Sequence, residues 1–119
     1  MATLAGLVQC TAPPTTIEQI RERGELRVAT LNLPTTYYIG AQGPEGLEYE
    51  LAADFARSLG VRLAMTPYES ERQAVEALRT GEADMAAAQL TYRGAWQVFA
   101  LPSRNYDEVA QLVVYVRGA

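Results

Sequence analysis

The sequence contains no histidine and no lysine, and it has a single cysteine, Cys10. Without histidine, the commonest general base at neutral pH and the commonest metal ligand are both missing. Without lysine there is neither a Schiff-base amine nor a P-loop, and all ten cations are arginine. One cysteine makes no internal disulfide, so cysteine usage leaves the redox compartment open. No run of about 18 apolar residues occurs, so no stretch reads as a membrane-spanning helix. No carboxylate cluster has metal-ligand spacing, so no transition-metal site and no cofactor is expected. The balance of 10 basic against 14 acidic side chains, a net charge of −4, gives no electrostatic reason to bind nucleic acid or an anionic membrane. What remains is a chain of 119 residues, 49% hydrophobic. That is enough for one domain with a modest core, burying roughly two-thirds of the surface its unfolded chain would expose.

The setting of Cys10 is distinctive. Leu4-Ala5-Gly6-Leu7-Val8-Gln9 is small and mostly apolar, and Thr11-Ala12-Pro13-Pro14-Thr15-Thr16 reads as a polar linker. The arrangement is similar to the end of a bacterial lipoprotein signal, whose cysteine takes the lipid. Gln9 is larger than the small residue such a site carries, and the sequence shows neither the basic region nor most of the apolar region of a signal. The other reading is a frayed terminus with an incidental cysteine. Residues 1–15 are therefore set apart as a linker, and residues 16–119 as the folded unit.

From there helical and strand patterns alternate. Thr16-Ile17-Glu18-Gln19 has capping-box spacing and opens a short helix over 17–23, stopped by Gly24. Residues 25–31 read as a half-buried strand. A loop over 32–46 holds Pro34, Gly40, Gly43, Pro44 and Gly46. In the next helix Leu47, Leu51, Phe55 and Leu59 recur every four residues as the apolar face; Glu48, Glu50 and Asp54 fall on what reads as a solvated outer face, and Gly60 ends it. A strand over 61–66 is ended by Pro67. Ser70-Glu71-Arg72-Gln73 is a second capping box, opening a helix with Ala74, Val75 and Leu78 inward. Residues 84–90 form a small-residue strand, 94–98 a short helical turn, and 109–116 a long β-rich run. Such a β-α-β-α-β order calls for an α/β fold, a parallel sheet with helices on both faces. Ligands of such sheets bind beyond the carboxyl ends of the strands, which directs attention to the segments starting at Asn32 and at Gln89.

Several stretches carry a resemblance. Gly24-Glu25-Leu26-Arg27-Val28-Ala29-Thr30, Thr36-Tyr37-Tyr38, Gly46-Leu47-Glu48-Tyr49-Glu50-Leu51-Ala52, and Leu78, Gly81, Ala83-Asp84 and Ala87-Ala88 together resemble the first lobe of amino-acid-type periplasmic binding proteins. Thr-Tyr-Tyr before the glycine loop, Gly-Leu-Glu-Tyr-Glu-Leu-Ala, and Gln111-Leu112-Val113-Val114-Tyr115 are most similar to the N-terminal, binding-protein-like domain of the membrane-bound lytic murein transglycosylase F family. The resemblance implies a three-layer α-β-α lobe with a mainly parallel sheet, of the periplasmic binding protein-like II type, cut near the hinge. It also implies a non-catalytic ligand-binding and regulatory module that senses peptidoglycan-derived peptide, in the periplasm, outer-membrane-anchored in a longer parent. The second lobe and the catalytic domain would be its partners there. The alternative is a fragment of a transport-type solute-binding protein for amino acids. Glu69-Ser70 matches the catalytic dipeptide of such enzymes, but the segments that should follow are missing, so it reads as the lead-in to a capped helix.

Ligand contacts implied by the resemblance are Asn32, Tyr37 and Tyr38 after the first strand, and Gln89, Thr91, Tyr92, Arg93 and Trp96 after the third. Adjacent residues of an extended segment point oppositely, so one tyrosine faces the cleft while the other covers the core. Trp96 stands where amino-acid binders carry the arginine that grips an α-carboxylate, which disfavours the transport reading; it is either a stacking surface or a buried indole. Arg93 either reaches the same space or is a solvated surface charge. An isolated lobe is expected to bind weakly and to self-associate through the 109–116 run.

Overall fold

The computed structural model describes residues 16–91, 96 and 98–104. Helix α1 (Thr16–Arg23) leads into strand β1 (Glu25–Leu31), followed by a hairpin of β2 (Tyr38–Gly40) and β3 (Gly43–Glu45). Helix α2 (Leu47–Leu59), strand β4 (Arg62–Tyr68), helix α3 (Glu71–Arg79) and strand β5 (Met85–Ala87) complete the elements. The sheet runs β4-β1-β5 with both pairings parallel, Leu26 opposite Leu63 on one side and Ala29 opposite Ala86 on the other.

Alternation along β1 divides the core. Leu26 and Val28 face α1 and α2, where they meet Ile20, Ala52 and Ala56, with Leu63, Met65 and Met85 packed alongside. Ala29 faces α3 and packs with Ala74, Ala77, Ala83 and Ala88. These alanines let α3 lie close over the sheet, in keeping with the small-residue character expected of 84–90. The fold is the expected α/β lobe with helices on both faces of a parallel sheet.

Four local expectations need correction. The 32–46 loop contains the β2–β3 hairpin, with Tyr38 opposite Glu45 and Gly40 opposite Gly43. Pro67 does not end its strand, which continues to Tyr68. Arg62 N–H donates to Gly24 O at 3.0 Å; the two-residue repeat then points position 67 away from β1, so a proline there removes no bond of the ladder with β1. The small-residue strand closes at Ala87 instead of Leu90. In α3 the fully buried pair is Ala74 and Ala77, while Val75 and Leu78 are half-buried.

The largest correction concerns α2. Its buried stripe is Glu48, Ala52 and Ala56, with Leu59 packed against the core. Leu47, Leu51 and Phe55 lie outside, Leu47 half exposed at 50%. Glu50 and Asp54 are solvated as expected, whereas Glu48 is 4% exposed. Small residues allow the helix to approach the sheet, and the larger apolar ones are carried on its flank.

Helix ends follow their signals. Gly60 adopts the left-handed conformation (φ 72°) beyond α2. Ser70 Oγ accepts from Gln73 N–H at 3.2 Å, and Gln73 reaches back to Glu69 N–H at 3.0 Å, so Glu69-Ser70 is indeed the lead-in to a capped helix. Replacing Ser70 with alanine should cost about 1 kcal/mol of stability, read as a lower urea midpoint, and Ser70→Asp should retain most of it. Trp96 O accepts from Phe99 and Ala100 N–H, a helical turn in the region where a short one was expected over 94–98. Residues 1–15 with Cys10, the 109–116 run, Tyr92 and Arg93 lie outside the described residues.

Candidate functional site

The chain passes from β1 to β4 on one side and returns to β5 on the other, so the strand order reverses between β1 and β5. A crevice at their carboxyl ends is where an open α/β sheet places a ligand. Thr30 Oγ1 donates to Ala87 O at 2.6 Å and ties the two strand tips together beneath it.

On the β1 side, Leu33 and Tyr37 exchange backbone bonds of 3.1 Å in each direction, closing a tight turn over 33–37. Thr36 is fully buried inside it, donating to Leu31 O at 2.5 Å. Its own carbonyl accepts from Tyr49 N–H at 3.0 Å, satisfying a donor of the first turn of α2. Asn32 is exposed and bridges to Tyr37. Tyr37 packs its ring on Tyr49, centroids 5.9 Å apart and planes tilted 52°. Tyr38 turns to the hairpin and donates to Glu45 Oε2 at 2.6 Å. That bond and the carboxylate's charge hold the phenol above its ordinary range. The neighbouring tyrosines thus have different partners.

On the β5 side, Gln89 adopts φ 54°, and no other non-glycine among the described residues has a positive φ. Its N–H donates to both carboxylate oxygens of Glu48, at 2.9 and 3.1 Å. Its carboxamide donates to Thr35 Oγ1. One residue therefore joins β5, the turn after β1 and the first turn of α2. Thr91, half-buried, follows two residues on. Trp96 lines an open cleft of about 510 Å³ with Ser70, Arg72, Val75 and Phe99, beyond the end of β4. Its indole Nε1 is buried without a hydrogen-bond partner.

The structure thus brings Gln89 together with the turn after β1, and it sets Trp96 against α3. Sequence reasoning missed Thr35 and Glu48. No local pattern marks Glu48, whose partner Gln89 lies 41 residues away along the chain. The segments that follow β1 and β5 offer the hydroxyls of Thr35 and Thr91, the Gln89 carboxamide and the Tyr37 ring, groups that suit hydrogen-bonded recognition of a small polar molecule. Among the described residues, no group of three or more His, Cys, Asp or Glu side chains could hold a metal, and no helix is long and apolar enough to cross a membrane.

Known proteins share this architecture and sequence. The profile of the bacterial extracellular solute-binding proteins, family 3, matches residues 26–119. Membrane-bound lytic murein transglycosylase F of Vibrio cholerae is 46% identical over 106 residues, 89% of this chain and 20% of that protein. The Aliivibrio fischeri protein of the same name is 43% identical over the whole chain and 24% of its own length. This chain therefore spans about a fifth to a quarter of the curated relatives it matches. Among solved structures, an ancestral cyclohexadienyl dehydratase superposes with a TM-score of 0.65 at 26% identity, covering 74% of this chain and 37% of that one. The arginine-bound form of domain 1 from TmArgBP has the same fold, with a TM-score of 0.60 at 24% identity over 67% of this chain and 64% of that one. The chain belongs to the bacterial extracellular solute-binding proteins, family 3, and is similar to the stretch of the lytic murein transglycosylase F proteins that it matches.

Proposed function

We propose that this domain binds a peptidoglycan-derived peptide in the crevice beyond β1 and β5, and that binding regulates a lytic transglycosylase domain elsewhere in a longer parent. The observation that carries the reading is the three-way junction at Gln89. In support of it, the Gln89 carboxamide donates to Thr35 Oγ1 and its N–H to Glu48, joining the segment after β5 to the turn after β1, and Thr91 follows two residues on. The murein-directed names of the relatives favour a cell-wall peptide over a transported amino acid. Neighbours of known structure include an ancestral cationic amino acid solute binding protein, 28% identical, which supports a small, polar, amino-acid-like ligand. Asn32, Tyr37, Tyr38, Tyr92 and Arg93 complete the proposed contact set, while Trp96 lines the neighbouring cleft against α3. In the same reading, residues 1–15 precede the lobe as a linker, Cys10 is the lipid attachment point, and the parent sits in the periplasm, anchored to the outer membrane.

Amide NMR of the ¹⁵N-labelled chain, titrated with the tripeptide L-Ala-γ-D-Glu-meso-diaminopimelate and separately with L-arginine, tests this. One lobe alone should bind the tripeptide weakly, with Kd near the millimolar range. Shifts should concentrate at Thr35, Gln89 and Thr91, and Gln89→Ala should weaken binding about tenfold. Tighter binding of L-arginine would favour the transport reading. The absence of shifts with either compound at about ten times the expected Kd would overturn both.

A further inference from the structure

Gln89 holds a left-handed backbone conformation that a residue with a Cβ adopts at a cost. Such a residue persists where its surroundings over-determine it. Here the surroundings are Glu48, whose two oxygens take the Gln89 N–H, and Thr35, whose hydroxyl takes the carboxamide. Glu48 shares the buried stripe of α2 with Ala52 and Ala56. A carboxylate on that stripe is costly to desolvate, and a small apolar residue would continue the packing without that cost. Its position in the first turn of α2 offsets part of the cost through the helix dipole. Against the rest stands what the carboxylate holds, the Gln89 N–H.

We infer that Glu48 is a positioning residue for the crevice. Its carboxylate fixes the Gln89 backbone in the left-handed turn, which aims the carboxamide at Thr35 and delivers Thr91 to the same mouth. Glu48 acts through Gln89 and sits beneath the crevice instead of lining it. The inference rests on the crevice being the ligand site, but the backbone constraint is measurable without ligand.

Hydrogen exchange in the ligand-free chain reads that constraint. In Glu48→Ala the Gln89 amide should exchange about tenfold faster relative to Val28, which reports the β1 core. Glu48→Gln keeps the shape and one acceptor and should give an intermediate acceleration of about threefold, which carries the test if the alanine variant does not fold. Equal acceleration of Gln89 and Val28 would show general loosening and overturn the inference, as would an unchanged Gln89 in the variants that fold. In the tripeptide titration, Glu48→Ala should weaken binding about tenfold while Glu48→Gln restores most of it. A wild-type chain that binds neither the tripeptide nor L-arginine would defeat the ligand reading and leave exchange at Gln89 to judge the positioning role. Wild-type binding that Glu48→Ala leaves unchanged would defeat the positioning role alone.

Discussion

Replacing Gly46 with alanine should destabilise the domain by about 4 kcal/mol, a large share of the roughly 5–15 kcal/mol that holds a domain folded. Two independent costs combine at this position. Gly46 has φ 128° and ψ 148°, a region that is essentially closed to residues with a Cβ. An added Cβ would also press on Thr36 O, 2.7 Å from Thr36 C and 3.0 Å from Tyr37 N. All three are backbone atoms of the tight turn after β1, which cannot swing aside as a flexible side chain would. Thr36 O also accepts from Tyr49 N–H, so a shift of that turn removes a bond from the first turn of α2. Gly60 is the internal control. It is left-handed too, at φ 72°, but a Cβ there meets nothing within 4 Å. Gly60→Ala should therefore cost only the backbone term, about 1 to 2 kcal/mol. Urea unfolding of the two variants beside the wild type measures the difference. Equal losses would mean that the close approach of the turn to Gly46 carries no energy.

The same region shows where sequence reading succeeds and where it stops. The parallel sheet and the helices were legible because each carries a local signal. Ser70 and Gln73 lie at capping distance, Gly60 sits just past its helix, and β-prone runs alternate with helical ones. The apolar face of α2 was misjudged because side-chain size was taken as a sign of burial. Leu47, Leu51 and Phe55 have the correct helical spacing, but the sheet comes so close that Ala52 and Ala56 fill the contact. The hairpin escaped notice because strands of three residues, Tyr38–Gly40 and Gly43–Glu45, are too short to show alternation. At the candidate site, Gln89 was expected from the topology and from the resemblance. Glu48 was not, since its partner lies 41 residues away and no local pattern distinguishes a carboxylate that turns inward from its solvated neighbours Glu50 and Asp54.

At the opposite end of the sheet, Asp84 should prove the most costly single charge to remove. Its side chain is 7% exposed and gathers three elements. Arg27 Nη2 donates to Oδ1 at 2.9 Å, and the Arg27 backbone N–H donates to Oδ2 at 2.9 Å. Arg23, at the end of α1, pairs with the same carboxylate, and Asp84 N–H returns a bond to Arg27 O at 2.8 Å. Asparagine would retain the shape but turn an amide donor toward two guanidinium groups. Both arginines are about one-third exposed and can recover some hydration, which lowers the cost below that of a wholly buried pair. Asp84→Asn should then lose roughly 2 to 3 kcal/mol at neutral pH. The loss should depend on pH in a defined direction. Burial pushes the Asp84 carboxyl upward, but bonds from the Arg27 side chain, the Arg27 backbone and Arg23 outweigh it and hold the group below the usual carboxylate range. A folded value below the unfolded one, near about 3.9, means that this stabilisation is complete above that pH and disappears as acid protonates the folded carboxylate. Urea unfolding at about pH 7, 5 and 3 should therefore show a constant gap between wild type and Asp84→Asn at the two higher values and a smaller one at the lowest. A gap that widens in acid would mean that the folded carboxyl titrates above its unfolded value, and that burial dominates over the arginines.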